Sequence, residues 1–211
     1  MATHISIGKQ KRVAVVLSCP GRYEEKARRP AAKTTGKNLD MLLIMLGSLL
    51  KRKDLIRKNI TITNAWPKVE YKAKTGRSEA SDQEIKGSHN IKRVQRELND
   101  ISDFVIFCGE KAKTVSQFLR LNKSPKFIYV EHLAIRGLSS IKIDAYGNPI
   151  VAASGTGKIK KAIQAENTKK RLNVVAINLL NQLKALVKPR CVSNCVYGCN
   201  KFRFRLKPNR R

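Results

Sequence analysis

The chain has 211 residues, and 44 Lys+Arg stand against 15 Asp+Glu, a formal net charge of +29. Its length suits one compact domain, since two sizeable cores would each need on the order of 100 residues or more, and its 42% hydrophobic content excludes wholesale disorder. Such a charge excess attracts polyanions over the whole surface, so nucleic acid is the leading partner and an anionic membrane a poor second.

Met1 to Lys9 runs straight into charge, without the apolar stretch and small-residue cleavage site of a signal peptide, so the expected location is cytoplasmic and DNA-associated. Arg12 to Leu17 is a β-branched run ended by Ser18-Cys19-Pro20-Gly21, which predicts a buried first strand and a loop. Leu39, Leu42, Leu43, Leu46 and Leu50 recur at helical spacing and predict an amphipathic helix over 37–51. The longest apolar run, Met41 to Leu50, falls well short of the roughly 20 residues of a spanning helix, so no membrane segment is expected. Ile60 to Asn64 is a second strand, residues 68–88 form a polar, mobile loop, and Ile91, Val94, Leu98 and Ile101 mark one helix face. Phe104 to Gly109 is a third strand, residues 111–121 a short helix, and Phe127 to Val130 a fourth strand. Residues 158–187 are mostly helical, with Leu172, Val175, Leu179, Leu183 and Leu186 on the apolar side. Strands alternating with helices predict an α/β fold: a three-layer sandwich whose central, mostly parallel four-stranded sheet is flanked by helices. The domain spans residues 1–188, and a basic, cysteine-containing tail occupies 189–211.

In such a sheet, ligands bind beyond the carboxyl ends of the strands, which singles out the loops after the first, second and fourth strands. The first reads Ser18-Cys19-Pro20-Gly21-Arg22-Tyr23-Glu24-Glu25 and continues through Arg29-Pro30-Ala31-Ala32-Lys33-Thr34-Thr35-Gly36-Lys37. The second strand ends in Thr63-Asn64-Ala65, and the fourth runs into Glu131-His132-Leu133-Ala134-Ile135-Arg136-Gly137-Leu138-Ser139-Ser140. This ordered set resembles the uracil-DNA glycosylase superfamily over roughly residues 12–187. The first loop is similar to the Pro-Gly motif of its iron-sulfur branch, Asn64 to the strand-end Asn that reads the base, and His132 to Ser139 to an expanded His-Pro-Ser…Leu-Ser loop.

The resemblance implies a monofunctional DNA glycosylase acting on double-stranded DNA, in repair or in defence against phage. Flipping a base out of the helix requires a pocket, a wedge and a charged track for the phosphates. His132 is the expected donor to the carbonyl of the leaving base, because an imidazole N–H stabilises charge developing there. Asn64, with donor and acceptor on one amide, is the expected reader of the base edge. Glu24, with Glu25 in reserve, is the expected acid that orients water or stabilises an oxocarbenium-like sugar. Cys19, Pro20, Gly21 and Ala31 join Asn64 in the expected base pocket. Lys33, Thr34, Lys37, Arg136 and Ser139 are expected against DNA, the first three at a helix start that favours anions, with Leu138 as the wedge. Each has a plainer reading: His132 as a cap, Asn64 as a turn residue, Glu24 as a solvated partner of Arg22 or Arg28, Leu138 as core.

Two departures matter. Ser18-Cys19 stands where the family carries its water-activating side chain before Pro-Gly. Ala31 stands where the iron-sulfur branch stacks a Phe on the base, which enlarges the pocket and points to a bulky modified pyrimidine, such as a glucosylated hydroxymethylcytosine, rather than plain uracil. Cys19 and Cys108 read as small core residues, and the odd cysteine count argues against a disulfide framework. Cys191, Cys195 and Cys199 recur every four residues, but three ligands fall short of the four-cysteine cluster of the iron-sulfur branch, so no cofactor is expected, with zinc completed by another ligand as the alternative. Ser154-Gly155-Thr156-Gly157-Lys158 lacks the phosphate-loop spacing. The tail interleaves Phe202 and Phe204 with Arg203 and Arg205, a pattern that stacks on bases while pairing with phosphates. The basic surface argues for a monomer. The alternative reading is a noncatalytic nucleic-acid-binding protein with a glycosylase-like fold.

Overall fold

The computed structural model describes residues 3–186. Five strands form one sheet: β1 (Ile5–Ser6), β2 (Val13–Leu17), β3 (Thr61–Asn64), β4 (Phe104–Cys108) and β5 (Lys126–Val130), in the order β1-β3-β2-β4-β5. β2 to β5 pair in parallel, and β1 runs antiparallel to β3. The expectation of four strands is therefore corrected by one. β1 has two residues, too few for an alternating pattern to register, and its place is set by pairing Ile5 with Thr63.

Eight helices connect and cover the strands: α1 (Arg22–Ala27), α2 (Lys33–Leu50), α3 (Lys72–Thr75), α4 (Asp82–Lys86), α5 (Ser88–Leu98), α6 (Glu110–Ser116), α7 (Ile135–Leu138) and α8 (Gly157–Ala185). Successive strand residues point to opposite faces, so β2 splits its side chains between two cores. Val13, Val15 and Leu17 meet Leu39, Leu42, Leu43 and Leu46 of α2 and Leu172, Val175, Leu179 and Leu183 of α8. Ala14 and Val16 face Ile85 of α4, Val94 and Leu98 of α5, and Ala112 and Val115 of α6. Burial on both faces explains why β2 and β4 read as continuous apolar runs. At the β5 edge, the Gln182 amide donates to Tyr129 O and accepts from Tyr129 N–H, both at 2.8 Å, taking the place of a sixth strand.

Three further expectations are corrected. Residues 68–88 contain α3 and α4 rather than a loose loop, held by the Arg77 guanidinium, which forks onto Glu70 (2.6 and 3.0 Å) and Glu84 (2.6 and 2.9 Å). α2 begins at Lys33, four residues before the expected start at 37, and α6 stops at Ser116. Leu138 is 2% exposed and belongs to the core, so it is not a surface wedge. No helix among the described residues is long and apolar enough to cross a membrane. The tail at 189–211, with Cys191, Cys195, Cys199, Phe202 and Phe204, lies outside the described residues.

Candidate functional site

Because β2 to β5 run in parallel, their carboxyl ends share one edge, and the segments leaving those ends meet there. A cavity of about 540 Å³ opens at this edge. It is lined by Leu17 to Cys19 and Gly21 after β2, Asn64 at the end of β3, Gly109 and Glu110 after β4, and Glu131, His132 and Arg136 after β5. Of the expected site residues, His132, Asn64, Glu24, Cys19, Gly21, Ala31 and Arg136 line it together. Pro20 is buried beside them. Lys33, Thr34 and Lys37 lie exposed on the first turns of α2, outside the lining, with Lys33 Nζ 3.8 Å above the Tyr23 ring. Ser139 closes α7, its hydroxyl donating to Arg136 O at 2.9 Å.

His132 owes its position to two glycines. A Cβ on Gly137 would stand 2.9 Å from the carbonyl carbon of His132, and one on Gly109 would stand 3.3 Å from His132 Cβ. Gly109 also has φ +87°, a left-handed conformation that glycine adopts without strain. The Ala134 N–H donates to His132 Nδ1 at 3.1 Å, so the neutral ring carries its proton on Nε2. Burial lowers the pKa of His132 from its ordinary value, with Glu79 and Glu24 opposing, so the ring is neutral at pH 7 and Nε2 is a donor.

Asn64 is 1% exposed, and its Oδ1 has no hydrogen-bond partner among the described residues. A buried acceptor left unpaired costs about 1–3 kcal/mol, which makes it a candidate for satisfaction by a ligand. Its backbone is fixed from behind: Arg93 donates to Asn64 O (2.9 Å) and Ala65 O (3.1 Å) while pairing with Glu97 at 2.7 Å. Although burial works against it, contacts with His4, Arg93 and Thr63 hold the Glu97 carboxyl below its ordinary value.

Glu24 pairs with neither Arg22 nor Arg28. Its two oxygens accept the N–H groups of Gly21 (3.1 Å) and Ala32 (2.9 Å), closing the loop between α1 and α2. That loop is strained, with Arg28, Ala31 and Lys33 all at positive φ between 47° and 50°. Arg57 holds it from the opposite side, donating to Ala31 O (3.1 Å) and Gly36 O (3.0 Å). At the position of the missing water-activating side chain, Cys19 is no substitute. Burial, then Glu79 and Glu70, push its thiol up to about 12, so it stays protonated and is neither base nor nucleophile near pH 7.

Four acidic lining residues escaped the sequence reading: Glu70, Glu79, Glu110 and Glu131. Glu110 and Glu131 stand within two residues of strand ends, and the strand-end rule that singled out Asn64 and His132 applies equally to them. Glu70 and Glu79 gave no local signal, since α3, α4 and their ion pairs bring that segment over the site. Beside the cavity, Ile135 is 68% exposed at the start of α7, between lining residues Ala134 and Arg136. No family model matches the chain, and no curated protein matches it.

Proposed function

We propose that this chain is a monofunctional DNA glycosylase with the three-layer architecture of the uracil-DNA glycosylase superfamily, excising a bulky modified pyrimidine such as a glucosylated hydroxymethylcytosine. The observation that carries the reading is the pairing, in one cavity, of a neutral His132 presenting Nε2–H with the unpartnered amide oxygen of Asn64. Helical cores on both sheet faces and a cavity at the parallel strands' carboxyl edge support it.

In the proposed reaction the base is flipped into the cavity and its edge pairs with Asn64. The bond between the base nitrogen and C1′ breaks with its electron pair going to the base. His132 Nε2–H stabilises the resulting anion at a ring carbonyl, and solvent supplies the proton that neutralises it. The negative charge of Glu24 stabilises the cationic sugar, and a water oxygen bonds to C1′ and releases a proton, leaving an abasic site. Among the described residues no lysine lines the cavity as a Schiff-base nucleophile, so the strand is expected to stay intact. Ile135 replaces Leu138 as the proposed wedge, with Arg136 beside it on the phosphates, and the start of α2 binds the flanking backbone.

A noncatalytic nucleic-acid-binding protein is the second reading, favoured by Ser18 and a protonated Cys19 at the position of the water-activating side chain. Substitutions His132→Ala and Asn64→Ala separate the two. The glycosylase reading expects both to lose base release by about 10²-fold or more while keeping DNA affinity. Unchanged release in both variants would overturn the assigned roles.

A further inference from the structure

A chain with 44 basic and 15 acidic residues would by chance line a cavity mainly with cations. The cavity beside Asn64 does the reverse. Glu24, Glu70, Glu79, Glu110 and Glu131 line it against one basic side chain, Arg136, so a third of the chain's acidic side chains gather at one place. Glu24 and Glu70 are occupied, by two backbone N–H groups and by Arg77. Glu79, Glu110 and Glu131 are exposed at the rim, and their side chains enter no ion pair or hydrogen bond among the described residues.

An independent feature of the same cavity points to a ligand that donates hydrogen bonds: the Asn64 Oδ1, buried and without a partner among the described residues. Such a rim disfavours an anionic substituent on the base that enters the cavity. Among the described residues no three His, Cys, Asp or Glu side chains converge closely enough to hold a metal ion. A cation that meets carboxylates spread along a rim, rather than gathered at a point, is an extended organic one. A second cavity, of about 420 Å³, shares Gly109, Glu110 and Glu131 with the first and is lined by Lys113 as well, so the charged end of such an arm stays at the shared rim.

We propose, resting on the glycosylase reading, that the cavity selects a nucleobase whose substituent ends in a positively charged ammonium group. The ring pairs with Asn64 in the depth, and the ammonium is drawn to the rim by the summed negative field of Glu79, Glu110 and Glu131. A neutral hydroxylated arm finds the same space but none of the charge attraction.

The test uses the full-length chain and duplexes carrying one 5-aminoallyl-deoxyuridine, the same base with its amine acetylated, or a glucosylated hydroxymethylcytosine. Base release is followed by mass spectrometry, and binding of the free aminoallyl and acetylated nucleosides is measured separately. The expected result is a preference of about tenfold for the free amine over the acetylated arm in both measurements. That preference should collapse toward unity in a Glu79→Gln, Glu110→Gln, Glu131→Gln triple variant. Equal handling of amine and acetylated arms, preference for the glucosylated base, or a preference that survives the triple substitution overturns the proposal. If no duplex releases a base, yet the free amine nucleoside binds about tenfold tighter and the triple variant loses this, the ammonium site stands and the glycosylase reading falls.

Discussion

Replacing Gly137 with alanine perturbs the site at the point where α7 folds back on His132. The added Cβ would lie 2.9 Å from the His132 carbonyl carbon and 3.1 Å from its Cα, and closer still to its carbonyl oxygen. Backbone, unlike a flexible side chain, cannot swing aside. Reaching the ~3.5–4.0 Å of an ordinary carbon–carbon contact requires α7 and His132 to part by on the order of 1 Å. Overpacking of this kind costs about 1–3 kcal/mol. For a chain of this size that is a melting-temperature loss of roughly 2–12 °C. A 1 Å displacement of the donor that meets the leaving base costs on the order of 10²-fold in rate. Thermal melts and base-release rates for Gly137→Ala should show both losses, and the His132 imidazole resonances should shift. Gly147→Ala is the control. It has φ +86° but nothing within 4 Å of its Cβ, so it should lose stability through backbone strain alone and keep the release rate. A Gly137→Ala chain with unchanged stability and rate would refute the assignment of Gly137 as the residue that seats His132.

Arg93→Ala strips Glu97 of its guanidinium partner and Asn64 O of its donor, and with His4 and Thr63 still on the half-buried carboxylate it should cost about 1–3 kcal/mol in urea unfolding. His132 has a folded pKa below its ordinary value, so between that lowered value and about 6.5 the unfolded chain binds more protons. Stability should therefore be full above about pH 6.5 and fall as pH drops through this window, and His132→Asn should flatten that part of the profile. Cys19 and Cys108, with thiols pushed up to about 12, should resist iodoacetamide at about pH 7.5 in the folded chain and react once it is unfolded, as read by peptide mass spectrometry.

β2, β3, β4 and the helices α2, α5 and α8 were legible because burial on both sheet faces writes apolar and β-branched runs, and burial on one helix face writes a 3.6-residue period. α1 has no buried residue, so it left no apolar stripe to find. The early start of α2 escaped because Ala32 at its N-cap makes no side-chain hydrogen bond, and no Ser or Asp announces it. Gly137 followed by Leu138 and two serines reads as an exposed loop. In the structure, glycine is there to let the backbone approach His132, and the same turn directs Leu138 inward. His132 and Asn64 were legible as strand-end residues of telling chemistry. The acidic rim was not, since Glu70, Glu79, Glu110 and Glu131 come from separate segments that only the fold brings together.

Whether this chain releases a base from DNA is decided by mass spectrometry of free bases and nucleosides after incubation with unmodified, uracil-containing, hydroxymethylcytosine-containing and glucosylated DNA. Release of a modified pyrimidine, with abasic sites left in an intact strand and plain uracil cut more slowly, is the predicted result. Tight, salt-sensitive binding to all four DNAs with no base released from any would contradict it and leave a nucleic-acid-binding protein in its place.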